Sequence, residues 1–104
     1  MVLRQRSCDF PVGAPFNIYQ YSMLLAFICE MSGVRPTRLI HQIGDAHIYE
    51  DQVNAAITML DGEEAFGSVP KVYFDNDGIL DTDFKKVRVE GYKPTMKIKI
   101  PVAV

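Results

Sequence analysis

The chain has no CxxC pair, no block of basic residues and no repeated or low-complexity segment. Each absence closes off a class of function. With a net charge of -2 and no basic block, a general affinity for nucleic acid or for an anionic membrane has no electrostatic basis, so any anion must be held locally. Two cysteines, Cys8 and Cys29, are too few for a disulfide scaffold and fit free thiols in a reducing compartment. The first ten residues lack the apolar centre of a signal peptide. The longest apolar run, YSMLLAFICEM, is interrupted by Glu30 and is expected to be too short to span a bilayer. His41 and His47 have no third ligand at useful spacing, so no metal centre is expected. The expectation is a soluble, cytoplasmic protein.

What is present is an ordinary globular composition, 48% hydrophobic and 23% charged over 104 residues. That length predicts a single domain, residues 1–104, with a real core. Residues 2–8 look extended. Ile18, Tyr21, Leu25, Ile28 and Cys29 follow helical spacing across residues 18–32, and Met23, Leu24 and Phe27 widen the stripe. A helix buried on most of its circumference is therefore expected, ended by Gly33 and Pro36. A short strand is predicted over 38–43. A second helix is predicted over 51–60, with Val53, Ala56, Ile57 and Leu60 on its apolar face. EEAFGSVP then reads as a loop, KVYF as a strand and DNDG as a turn. KKVRVEGY and MKIKIPV alternate strictly and predict half-exposed strands. The fold class expected is α/β: a mixed β-sheet packed with a long buried helix and a second, shorter helix.

Chemistry concentrates in two stretches. RSCDFPVGAPFN is expected to be a strand-to-helix loop. In it, Arg6 offers a bidentate fork and Ser7 a hydroxyl, a pair suited to phosphate. Asn17 carries an amide that can read the edge of a planar base, because it holds donor and acceptor side by side. Helix capping by Asn17 and a plain ion pair for Arg6 are the structural alternatives. In IGDAHIYED, His47 and Tyr49 lie two apart and so share one side of an extended segment, where they can clamp a sugar hydroxyl. A histidine satisfied by backbone is the alternative there. Cys8 alternates with Ser7. If Ser7 faces a ligand then Cys8 faces away, as a structural thiol.

QRSCD…GAPFN, GDAHIY, VEGYKP and the terminal PVAV, in this order over nearly the whole chain, resemble the C-terminal part of thymidylate synthase. The same superfamily includes the dUMP and dCMP hydroxymethylases. The resemblance implies that Arg6 and Ser7 bind the phosphate of dUMP, Asn17 the uracil edge, and His47 and Tyr49 the deoxyribose 3′-hydroxyl. It also implies that Asp9 meets the pterin of 5,10-methylenetetrahydrofolate. Gly13 and Phe16 would line the folate site, and Ala103 and Val104 would belong to a tail that closes over the folate. The family's nucleophilic cysteine, in a proline-cysteine-histidine triplet, has no counterpart in these 104 residues. Without a thiolate the covalent step has no agent. The chain is therefore expected to need a complementing N-terminal polypeptide, a homo-oligomer, or both. The resemblance also shows departures: Arg4 replaces an aromatic residue, EEAFGSVP an Arg-Glu-Pro-rich loop, and KPTM a Pro-His-Pro turn. Three functions follow as expectations: reductive methylation of dUMP to dTMP once complemented, hydroxymethylation of dUMP or dCMP, or non-catalytic nucleotide binding.

Overall fold

A computed structural model of the chain describes residues 1–62, 69–75, 87–93 and 97–102. Strand β1 (Val2–Asp9) runs without a loop into helix α1 (Phe10–Met31), which returns the chain to strand β2 (Ile40–His47). A 3-10 turn (Glu50–Gln52) leads into helix α2 (Val53–Asp61), followed by β3 (Lys71–Phe74) and β4 (Val87–Glu90). β1 and β2 pair in parallel from Val2↔Ile40 to Asp9↔His47. β3 and β4 pair antiparallel, Lys71 opposite Glu90 and Phe74 opposite Val87. The expected α/β class is present, with its parallel and antiparallel pairing divided between two separate two-stranded sheets among the described residues.

The loop expected over residues 6–17 is not there. Pro11 sits in the first turn of α1, where a missing N–H costs nothing. Pro15 forfeits one bond inside the helix, yet the helix continues. Packing offsets that loss: Pro11, Ala14 and Cys29 are the buried residues of α1. At the other end Gly33, with φ +64°, donates to the Glu30 carbonyl, and Val34 donates to that of Cys29. This pair of bonds is the Schellman arrangement that a glycine at C′ makes accessible.

Two further expectations need correcting. α1 is not buried on most of its circumference, since Phe16, Ile18, Tyr19, Leu24 and Ile28 are all exposed. Among the described elements β1 and β2 lie on one flank, and the Phe74 ring lies 5.6 Å from that of Phe27 on another. Starting at Phe10, the helix also reaches 22 residues with mean hydropathy 1.2, so by length and composition alone it could cross a bilayer. Second, residues 97–102 form no strand, although their burial alternates as expected, Ile98 and Ile100 half-buried between exposed lysines. These two isoleucines line one open pocket with Pro11, Val12, Phe16 and Met59. Residues 63–68 of the expected EEAFGSVP loop, 76–78 of the DNDG turn, and Ala103 and Val104 lie outside the described residues.

Candidate functional site

The site is built on the parallel pair. β1 alternates cleanly: Val2, Arg4 and Arg6 are exposed, while Leu3, Gln5 and Ser7 are half-buried. Beside Arg6 the strands approach so closely that a Cβ on Gly44 would lie 3.0 Å from the Arg6 carbonyl oxygen. At that separation the facing backbone would have to give by a few tenths of an ångström, so glycine suits the close approach of the two strands here.

One cluster centres on Gln5. Its Nε2 donates to the Ser7 carbonyl at 3.0 Å and to Asn17 Oδ1 at 3.1 Å. Its Oε1 lies 2.8 Å from His41 Nε2. An amide oxygen only accepts, so His41 must carry its proton on Nε2. The chain His41–Gln5–Asn17 thereby fixes the Asn17 amide: Oδ1 accepts from β1, and among the described residues Nδ2 has no acceptor. Gly13 stands one turn before Asn17, and a Cβ there would be 3.3 Å from Cys8 Sγ and 3.6 Å from Asn17 Oδ1. The glycine lets α1 approach the strand closely enough for Asn17 to reach Gln5. Cys8, 3% exposed, is sealed beneath this contact, and Cys29 is 7% exposed. Both thiols are free and buried.

A second cluster forms where β1 and β2 end together, at the register pair Asp9↔His47. The His47 and Tyr49 rings meet edge to face with centroids 5.1 Å apart, so the two do share a side. Asp45 Oδ2 is 3.5 Å from His47 Nδ1. Asp9 stands at the N-cap position of α1 but does not cap it. Its Oδ2 instead accepts from Gln52 Nε2 at 2.8 Å, and its buried Oδ1 has no partner among the described residues. Gln52 is fully buried, accepts from the Tyr49 backbone N–H and donates to the Pro101 carbonyl.

The structure therefore brings Ser7, Asn17, Asp9, His47 and Tyr49 to the β1–α1 and β2–α2 junctions. Arg6 is exposed and, by strand alternation, on the opposite face from Ser7. It lines a shallow pocket of about 460 Å³ with Arg4, Gln42 and Gly44, and Gln42 Oε1 accepts from Arg4 Nε at 3.2 Å. Phe16 is 71% exposed and stands apart from the polar clusters. With Pro15, Tyr19, Val89 and Tyr92 it lines an open cavity of about 690 Å³. Ala103 and Val104 are outside the described residues. Among the described residues no cluster suited to a metal ion occurs. Three residues that sequence reasoning did not assign are Gln5, His41 and Gln52. Alternation marks Gln5 and His41 as inward-facing polar residues. Gln52 had one local signal, a glutamine three residues after the turn's first residue, Tyr49, as in half of a capping box.

The whole chain, residues 1–104, matches the family described as thymidylate synthase. It is 36% identical over 105 residues to a bifunctional dihydrofolate reductase-thymidylate synthase of Leishmania major, covering 99% of this chain and 20% of that protein. To a probable thymidylate synthase of Schizosaccharomyces pombe it is 37% identical over 108 residues, covering 99% and 17% respectively. Among solved structures, the thermostable thymidylate synthase A of Bacillus subtilis superposes with a TM-score of 0.84 at 27% identity, over 97% of this chain and 36% of that one. The chain thus spans about a fifth of the length of these curated relatives.

Proposed function

Because the chain belongs to the thymidylate synthase family, we propose that it supplies the dUMP-binding wall of a composite active site, in which dUMP is reductively methylated to dTMP at the expense of 5,10-methylenetetrahydrofolate. The observation that carries this reading is the Asn17 amide held by Gln5. A uracil edge presents an N–H flanked by carbonyl oxygens. Asn17 can accept from that N–H with the remaining lone pair of Oδ1 and donate to O4 from Nδ2. A cytosine edge reverses the pattern, and matching it would require turning the amide against the bond from Gln5. The site so built prefers uracil.

The remaining roles follow the same geometry. The His47–Tyr49 pair offers an imidazole and a phenol to the deoxyribose 3′-hydroxyl. Ser7 and Arg6 point to opposite faces of β1, so a phosphate shared by both sits at the open edge of that strand, within reach of the long arginine. Asp9 supports the cofactor side: Gln52 holds one of its oxygens, and the other is left to accept from an N–H of the pterin. The resemblance alone assigns Gly13 and Phe16 to that side; Phe16 lines the separate cavity with Tyr19 and Tyr92. The chemistry of the folate is one-carbon transfer followed by reduction; the residues here orient the nucleotide toward it.

Neither Cys8 nor Cys29 is placed to act as the nucleophile, because both are buried, Cys29 within α1 itself. The attacking thiolate comes from a segment outside these 104 residues, contributed by the same longer chain or by a partner polypeptide. The test is to assemble the chain with such a segment and follow dTMP by mass spectrometry. Formation of dTMP supports the reading. A hydroxymethylated nucleotide would assign the sister chemistry. dUMP binding by the chain without turnover in any assembly would leave a nucleotide-binding module.

A further inference from the structure

Gln52 is the one described side chain that is large and completely buried, at 0% exposure, and the proposed chemistry does not use it. Its amide is fully committed to three separate segments. The two Nε2 hydrogens go to Asp9 Oδ2 at 2.8 Å and to the Pro101 carbonyl at 2.9 Å. Oε1 accepts from the Tyr49 N–H at 3.2 Å. The donors face two acceptors and the acceptor faces a donor, so the amide has a single satisfactory orientation. The partners lie 43 and 49 residues away in sequence. The described residues 97–102 have no strand ladder to hold them, so this bond is a specific polar attachment between them and the strand ends.

We propose that Gln52 is a positioning residue that latches the 97–102 segment to Asp9, so that docking of this segment and occupancy of the cofactor side of the site are coupled. The coupling rests on the reading above that Asp9 meets the folate; the latch itself does not. A ligand drawing on Asp9 stiffens its carboxylate, which orders Gln52 and with it the Pro101 carbonyl. Conversely, release of the segment frees one Gln52 donor to compete for the Asp9 oxygens. Reciprocity of this kind is required of any two sites that share an intermediate group.

The experiment compares the full chain with Gln52→Leu, which makes none of the three bonds, and Gln52→Glu, which keeps the acceptor for Tyr49 but loses both donors. Amide hydrogen exchange is read without ligand. In both variants, protection at the amides of residues 97–102 is expected to fall about tenfold, while α1 and β2 keep theirs. Unchanged protection of 97–102 in both, or an equal loss in every element, overturns the latch. Should Gln52→Leu not fold, Gln52→Glu decides alone. The coupling is read in the assembled enzyme with dUMP bound. Gln52→Glu should weaken a reduced folate about tenfold while dUMP affinity stays within about twofold; equal weakening of both ligands overturns the coupling. If the unaltered assembly binds neither dUMP nor folate, the proposed function fails, and the exchange arm still decides the latch.

Discussion

On the proposed reading, Arg6→Ala is expected to weaken dUMP by about 10- to 100-fold and deoxyuridine hardly at all, because the variant loses a charge-assisted bond to phosphate. Calorimetry with the two ligands checks this, and equal losses would remove Arg6 from the phosphate site. Gln5→Met keeps the volume of the side chain but frees the Asn17 amide. Discrimination of dUMP over dCMP should then fall about tenfold. A thiol reagent should modify neither Cys8 nor Cys29 in the folded chain and both after unfolding, as mass spectrometry would show, since only 3% and 7% of these residues is exposed. At this scale the sequence displayed the shared side of His47 and Tyr49 and the opposite faces of Arg6 and Ser7, because spacing along an extended segment decides which residues share a side. It did not display Gln52. A glutamine near a helix start looks like any surface polar residue, and its partners are brought to it only by the fold.

Each element states its own limits. The helical period from Ile18 to Cys29 and the glycine stop at Gly33 were legible, and both are found. The start of α1 was not, because two prolines and a glycine within PVGAP carry the composition of a loop. The first turn absorbs Pro11, and the contact of Gly13 with Cys8 makes a glycine useful there. The alternation of 97–102 was legible as burial but not as pairing, since a period of two records only which side chains face inward. Two substitutions probe these elements. Gly44→Ala should destabilise the chain by about 1–3 kcal/mol through collision with the Arg6 carbonyl. Gly33→Ala should cost about 1 kcal/mol, the penalty of φ +64° for a residue with a Cβ. Chemical denaturation of each variant measures both. A neutral Gly44→Ala would mean that β1 and β2 separate more easily than their register suggests.

For the molecule as a whole, apolar surface is the dominant fact. The radius of gyration is 16.1 Å, against about 13 Å for a compact domain of this length. Phe16, Leu60 and Val69 are each more than two-thirds exposed. Exposed apolar side chains of this size favour association, and β1 and β2 each have an open edge among the described residues. In the absence of a partner, the chain is expected to sediment as an oligomer at high concentration; a clean monomer would contradict this. The helical period of α1 shows which residues are apolar and says nothing of whether a neighbour covers them. One consequence belongs to the parallel pairing. Ser7 lies on β1 and His47 on β2, and each residue of one strand meets a partner 38 positions along the chain. A nucleotide gripping both strands is a crosslink across that closure, so its free energy of binding is added to that of folding. At a ligand concentration 100 times its dissociation constant the folded state gains about 2.7 kcal/mol. For a chain with so little buried surface, the substrate would then serve as part of the hydrophobic core's missing support, and thermal unfolding should report nucleotide occupancy before any catalysis can be measured.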